Sequence, residues 1–393
     1  MIVGVPKEIK DYENRVSLVP RSISSLTNAG IRVIVEAGAG ARSGFSDDEY
    51  SAAGATVVRT ASELYSGADL IVKVKEIQTA RDEAKMLKPS HVVFGFNHFE
   101  SSKELTDVAV RSKATFISFE KIVDVNGQTP ILMPMSRIAG SMAGLWGGFL
   151  HNYSFRHAKS IRLKTGADET RNRFVKEFER ILDGNIDDDL KVKLSLQDKS
   201  VVIFGGGTVG EAAAKITAAL GCKLTIIEKR DSRRKYLEEL RFPRLSVNQA
   251  ADFDTLRGST VIIGATYDRD KADRMISEKL LKEISEVRKK IIIDVSIDQG
   301  GNFPYYDMDG KYSPSAMSSI LNPALIDQLG NIFVRVPNIP SIVPQYASSA
   351  LSSVVSRYVI DLARGNEPGE LHTAISIKAG KILDESITKA HSL

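Results

Sequence analysis

The sequence predicts an α/β protein built from two Rossmann-like domains with parallel sheets. The first domain is discontinuous, and the expected active site lies in the cleft between the two. Three observations lead there. Short apolar runs alternate with helical stretches along most of the 393 residues, a length that suits two domains. The stretch Lys199–Arg230 reads as strand, glycine turn, helix and second strand. Finally, Pro337, Pro340 and Pro344 mark a crossing back to the first domain before a last long helix. The expected boundaries are 1–133 plus 344–393 for one domain and 134–343 for the other, which opens with a connector helix.

Ile2–Val5 is a short apolar strand closed by Pro6. A helix is expected from Pro20 to Ala29 with Gly30 at its C-terminus, then a strand from Ile31 to Val35. Ser46 caps a short helix, and further strands are expected at Thr56–Val58, Leu70–Val74, His91–Gly95 and Ala114–Ser118. A long helix is expected from Ser136 to about Ala158. Its small residues, Ala139, Gly140, Ala143, Gly144, Gly147 and Gly148, would allow close helix approach, and we read it as the connector and a subunit contact. A charged amphipathic helix follows at about 167–182, with Phe174, Phe178, Ile181 and Leu182 on one face.

Val201–Phe204 is a continuous apolar run, as for a strand covered on both faces. Gly205, Gly207 and Gly210 then give G-x-G-x-x-G. The first glycine permits a tight turn, the second lets backbone approach a pyrophosphate, and the third lets helix and strand pack closely. The helix begins at Thr208 and Val209, so its free N–H groups face that phosphate. The next strand, Lys223–Ile227, ends at Glu228, an acid placed to accept both ribose hydroxyls and to repel a 2′-phosphate. NAD is therefore expected over NADP, although Lys229, Arg230, Arg233 and Arg234 put cations close by. Downstream, a helix Ser232–Leu240, a strand Thr260–Gly264, a helix Ala272–Glu286, a strand Lys290–Asp294, an irregular stretch and a strand Asn331–Val336 are expected. The closing elements are a helix Ala347–Ala363 and a short C-terminal helix.

Apolar content of 42%, charged content of 26% and a net charge of +4 are ordinary for a globular chain, and dispersed basic residues give no nucleic-acid footprint. The one cysteine, Cys222, reads as a core residue and excludes an intramolecular disulfide and a cysteine-rich metal site. The six histidines are scattered, so no metal is expected. Neither a signal peptide nor a membrane-length apolar run is visible, which makes a cytoplasmic location the default.

Three polar residues stand where an open α/β sheet places its ligands. Arg15 lies in the loop after the first strand, Lys75 follows ADLIVKV, and His98 follows HVVFGF. Singly, each is the kind of residue that is most often solvated or structural. Together they describe a cationic pocket with one group titrating near neutrality, suited to a small carboxylate.

The segments ENRV, KVKE, PMSRIAG, FGGGTVG and DVSIDQGG occur in order along nearly the whole chain. They resemble the alanine dehydrogenase and pyridine nucleotide transhydrogenase family, on the alanine dehydrogenase side because of DVSIDQGG and the Lys75/His98 pair. The resemblance implies that Arg15 binds the substrate carboxylate, Lys75 holds a substrate oxygen and His98 is the general acid/base. It implies that Asp298 lies beside the nicotinamide, that Met135, Ser136 and Asn338 touch the nicotinamide end, and that the glycines, Thr208, Val209, Glu228 and Arg233 serve the rest of the cofactor. It also implies reversible NAD-dependent deamination of a small L-amino acid by a dimer or hexamer. The chain departs from the family at Asp268–Lys271, in the charged stretch 156–199, at Gln345 and Tyr346, and at Asn97. Three competing expectations follow: an opine- or saccharopine-type dehydrogenase, the NAD(H)-binding subunit of a membrane transhydrogenase, and a non-catalytic NAD(H)-binding regulator.

Overall fold

This computed structural model describes residues 1–80, 82–152, 178–182, 192–266, 272–314, 316–318, 324–366 and 368–392. Of the expected amphipathic helix, residues 178–182 are helical with Phe178 and Ile181 buried; Phe174 lies outside the described residues, as does the charged loop at 267–271. The chain divides into two compact units, Met1–Met135 with Pro344–Leu393, and Ser136–Val343.

The strands, in chain order, are β1 Val3–Val5, β2 Val33–Glu36, β3 Thr56–Val58, β4 Leu70–Val72, β5 Val92–Gly95, β6 Thr115–Ser118, β7 Ser200–Phe204, β8 Lys223–Ile227, β9 Leu245–Asn248, β10 Val261–Gly264, β11 Ile291–Asp294, β12 Ala324–Ile326, β13 Ile332–Val334, β14 Ile375–Lys378 and β15 Lys381–Ile382. The first unit holds an eight-stranded sheet in the order β15-β14-β6-β5-β4-β1-β2-β3. The second holds a seven-stranded sheet in the order β12-β13-β11-β10-β7-β8-β9. Each contains the doubly wound order 3-2-1-4-5-6, so each has a switch point, between β1 and β4 and between β7 and β10. Ligands bind in such folds where the chains leaving the two central strands diverge.

Neither sheet is wholly parallel. β12 pairs antiparallel with β13, and β14 pairs antiparallel with both β6 and β15. These edge strands and β9 are additions to the expected elements. The β14–β15 hairpin turns on Ala379 and Gly380, both at positive φ (50° and 77°), the backbone of a two-residue primed turn. Alanine is a rare first residue there, which hides the hairpin from turn signals. The helix expected from Ala272 spans Glu278–Val287 instead, because the Ser277 hydroxyl caps it by accepting the Leu280 N–H at 3.2 Å.

The long helix runs from Leu132, not Ser136, through Asn152. Pro134 sits in its first turn, where no intrahelical N–H bond is lost. Glycines on its small face pack against other parts of the chain. A Cβ on Gly140 would lie 2.0 Å from the Val209 carbonyl oxygen, and one on Gly148 would lie 2.4 Å from that of Leu194. Gly140 and Gly144 thus let this helix lie against the helix Thr208–Ala219 that follows the glycine turn, and Gly148 lets it approach the backbone at Leu194.

In the first unit, the helix Pro344–Ala363 explains the discontinuity. Its buried Ser348 and Ser352 hydroxyls accept the N–H groups of Val16 (3.0 Å) and Val19 (2.9 Å). The Tyr50 hydroxyl donates to Leu18 O at 2.9 Å. The loop after β1 is buried, so its backbone groups need such partners. Gly140→Ala is expected to lower the unfolding free energy by about 2–3 kcal/mol through overpacking. Gly369→Ala, where a Cβ meets nothing within 4 Å, is expected to change it by under about 1 kcal/mol. Urea unfolding of both variants checks this pair.

Candidate active site

The chain leaving β1 carries Glu8, Glu13 and Arg15, and the chain leaving β4 carries Lys73, Lys75 and Glu76. They meet at the first sheet's switch point. The Glu8 carboxylate accepts the Val74 N–H at 2.6 Å and the Lys75 N–H at 3.4 Å, tying one loop to the other. Beneath it, the fully buried Lys73 ammonium lies 2.5 Å from Glu83 and 3.5 Å from Glu8. The Tyr65 hydroxyl completes the group by donating to Glu83 at 3.2 Å. Burial, more than any neighbour, pushes Glu8 up to about 7. Sequence reading missed this network because its members are spread from residue 8 to residue 83 and no local pattern links them.

Arg15 is only 3% exposed. Its Nε donates to Glu13 Oε1 at 2.7 Å and its Nη2 to Glu13 Oε2 at 2.5 Å, a bidentate pair. Its Nη1 lies 3.1 Å from the Met135 sulfur. Glu13 is the missed member of the ENRV motif. An acid two residues before an arginine is a legible signal for a paired, positioned guanidinium.

Lys75 has its pKa lowered, first by burial and next by the nearby Arg15 charge, against the opposing pull of Glu13. Glu76, the next residue, pairs with Lys10. His98 follows β5 in the left-handed region (φ 47°), uncommon for a non-glycine residue and costly unless its surroundings hold it. Its N–H donates to Glu120 Oε1 at 2.7 Å, and its Nδ1 is 3.9 Å from the same oxygen. Its ring stacks on Phe96 with centroids 5.9 Å apart. Asn97 bonds Ile117 O at 3.2 Å and Ser118 Oγ at 3.1 Å, so this departure from the family pattern has a structural role joining β5 to β6.

The expectation of an imidazole titrating near neutrality is corrected here. The His98 ring keeps 42% exposure yet sits among closely packed groups. Desolvation first, and the Lys75 charge second, push its pKa down from 6.5 to about 4. Burial likewise raises Glu120 to about 7. Arg15, Lys75 and His98 thus form one electrostatic group, each within reach of the next.

In the second unit, Gly205 has φ 94°, and a Cβ there would lie 2.5 Å from Ala265 O, across the β7/β10 switch point. A Cβ on Gly210 would lie 1.8 Å from Gly205 O, so only glycine lets this helix start so close to its strand. At Gly207, the residue before Thr208 and Val209, a Cβ would meet no protein atom within 4 Å. These are the three separate demands a pyrophosphate turn makes, and the residues present fit a dinucleotide. The buried Glu228 accepts the Gly206 N–H at 3.0 Å and pairs with Arg230 at 3.1 Å. Burial raises its pKa, but these hydrogen bonds outweigh that and leave it lowered. Arg233 donates to Gly206 O at 2.6 Å and pairs with Glu211, holding the turn itself. Asp298 is exposed, and its Oδ2 accepts the Asn338 N–H at 3.3 Å, which brings those two expected residues together. Ser136 is half-buried in the long helix. Among the described residues, no group of three acidic, histidine or cysteine side chains is placed to hold a metal ion, and no helix is long and apolar enough to cross a membrane.

A doubly wound unit with a glycine turn suited to a dinucleotide, together with an α/β unit bearing an Arg/Lys/His group, defines an α/β dehydrogenase of the two-unit class. Models of the family described as "Alanine dehydrogenase/PNT" match the chain with their N-terminal domain over residues 4–139 and their C-terminal domain over residues 190–385. Alanine dehydrogenase of Methanococcus maripaludis is 30% identical, covering 100% of this chain and 97% of its own. Alanine dehydrogenase 1 of Staphylococcus aureus is similar to the same extent, 30% identical over 100% of this chain and 97% of its own. An L-alanine dehydrogenase of known structure superimposes with a TM-score of 0.78 at 27% identity, covering 100% of this chain and 99% of that one. A transhydrogenase from Sinorhizobium meliloti shares the fold, with a TM-score of 0.72 at 17% identity over 98% of this chain and 99% of that one. The chain belongs to the alanine dehydrogenase/PNT family.

Lys75→Met removes the second-largest cause of the low His98 pKa. The His98 ring resonance is then expected to titrate measurably closer to 6.5 than in the parent chain. Because the folded pKa lies below the unfolded one, neutral His98 contributes stability at pH above about 6.5 that is lost as pH falls towards 4. That acid loss is expected to be smaller in Lys75→Met, as read by urea unfolding at several pH values.

Proposed function

We propose that the chain is an NAD-dependent alanine dehydrogenase, interconverting L-alanine and pyruvate plus ammonia. The observation that carries this reading is the gathering of Arg15, Lys75 and His98 at one switch point in a chain whose second unit has a dinucleotide turn. The Arg15 guanidinium, pre-oriented by Glu13, binds the substrate carboxylate. Lys75, made less costly to discharge by burial and by Arg15, donates to the carbonyl oxygen of the 2-oxo acid. In deamination, neutral His98 takes a proton from the water attacking the substrate imine carbon and returns it to the departing amine. Binding the substrate carboxylate lessens the cationic field at His98 and moves its pKa back towards neutrality.

The backbone of Gly205 and Gly207, with Thr208 and Val209, holds the pyrophosphate, and Glu228 accepts the ribose hydroxyls. Ser136, Asp298 and Asn338 face the nicotinamide end, and Arg233 supports the turn. When bound, the nicotinamide exchanges a hydride with the substrate α-carbon. The acid at Glu228 favours NAD over NADP. We place the enzyme in the cytoplasm as a homo-oligomer on the strength of the family resemblance.

The reading is tested by NADH oxidation with pyruvate and ammonia. Turnover is expected, with kcat reduced by roughly 10²–10⁴ in His98→Ala. Arg15→Met is expected to raise the pyruvate KM by roughly 30-fold with a smaller change in kcat. Amination that requires an amino-acid amine and ignores ammonia would overturn the reading for an opine-type dehydrogenase. Tight NADH binding without turnover of any 2-oxo acid would point to a regulator or a transhydrogenase subunit.

A further inference from the structure

The 3₁₀ turn Phe99–Ser101, which directly follows His98, is held by a part of the chain almost 300 positions away. The helix Glu385–His391 lies against it. His391 Nε2 bonds the Phe99 carbonyl at 2.8 Å, the first carbonyl after His98. The Ser386 hydroxyl donates to Glu100 Oε1 at 2.7 Å. Lys121, from the turn after β6, pairs with Glu100, lies 3.0 Å from Asp384, and donates to Ser386 Oγ at 2.8 Å. Buried Ile387 and Phe99 belong to the same apolar cluster, with Phe116 edge-on to Phe99 at 5.4 Å. Polar and apolar contacts thus converge on one three-residue turn.

The residue this turn carries is strained. His98 occupies the left-handed region, which persists only where the surroundings over-determine the backbone. On its N-terminal side, Asn97 and Glu120 fix it. On its C-terminal side, the partners are the segment 384–391 and Lys121. Thr106 is also present, its hydroxyl 3.2 Å from Phe99 O and 3.4 Å from His391 Nε2.

We propose that the segment Asp384–His391 is a latch whose residues Asp384, Ser386 and His391 are positioning residues for the His98 imidazole. Through Glu100, Lys121 and the Phe99 carbonyl, the latch fixes where the ring stands relative to Lys75 and Arg15. The role rests on the proposed function for its kinetic consequence, but its effect on the ring itself is independent of activity. The charged and titratable groups facing His98 are Lys75, Glu76, Lys10, Glu100 and Glu120, and the latch variants below leave all five in place.

The test compares the full-length parent chain with Asp384→Asn/Ser386→Ala, and with Ser386→Thr as the conservative variant. The double variant is expected to retain its fold and its pyruvate KM while kcat falls about tenfold or more, because misplacement of an acid/base acts on the chemical step. The His98 titration midpoint is expected to rise from about 4 towards 6.5 as the ring loosens into solvent. Ser386→Thr, which keeps the hydroxyl, is expected to behave as the parent. Should the double variant not fold, Ser386→Ala alone is read in the same way. An unchanged His98 midpoint in a folded variant whose turn amides exchange faster overturns the latch, and shows the contact to be structural only. If the parent turns over no 2-oxo acid, the proposed function fails, while the midpoint still decides the latch.

Discussion

The arrangement depends on buried like charge at the first switch point. Arg15 lies close enough to Lys75 to lower its pKa, and burial takes much of the hydration from both residues. Isolated ions in such a place cost several kcal/mol each. The chain meets this with acids drawn from several loops: Glu13 on Arg15, Glu76 with Lys10, and Glu8 with Glu83 on Lys73. One consequence is chemical. The surplus positive field, added to desolvation, holds His98 neutral. Under the roles proposed for Arg15 and His98, a substrate carboxylate bound beside Lys75 would change that field and so link substrate binding to the protonation of His98.

The discontinuous first unit follows from the same site. The loop bearing Arg15 is buried, and two of its N–H groups find serine hydroxyls on the helix Pro344–Ala363. The turn after His98 is held from the helix Glu385–His391. The late-sequence segments therefore do more than fill the sheet's edge: they complete the hydrogen-bonding of the two loops that carry Arg15 and His98. In the second unit, glycine performs the comparable task by leaving room. Gly140 and Gly210 admit close backbone approach, and Gly205 supplies the backbone angle that the turn needs.

Much of this was legible in the sequence where a local signal exists. The glycine spacing located the strand, tight turn, helix and second strand that end at Glu228, and apolar runs closed by loops located most parallel strands. Positions after strands singled out Arg15, Lys75 and His98. What escaped has a common cause. Glu8 and Glu83, which pair with Lys73, and Glu120, which accepts the His98 N–H, come from separate segments, and only the fold makes them neighbours. β14 and β15 were hidden by an Ala-Gly turn with alanine at positive φ. β9 is a half-exposed edge strand of weak pattern, and the Ser277 cap was overlooked because helix-forming residues precede it. The His98 pKa was misjudged because sequence position reveals a histidine but not the burial and the lysine around it.

The central claim is that desolvation and the Lys75 charge together lower the His98 pKa, and that a substrate carboxylate bound beside Lys75 raises it again. The direct measurement is the titration of the His98 ring by NMR, without pyruvate and with saturating pyruvate in the absence of nucleotide. The account predicts a midpoint near 4 alone, moving up by about one unit or more with pyruvate bound. A midpoint that stays in place, although pyruvate demonstrably binds, would contradict it.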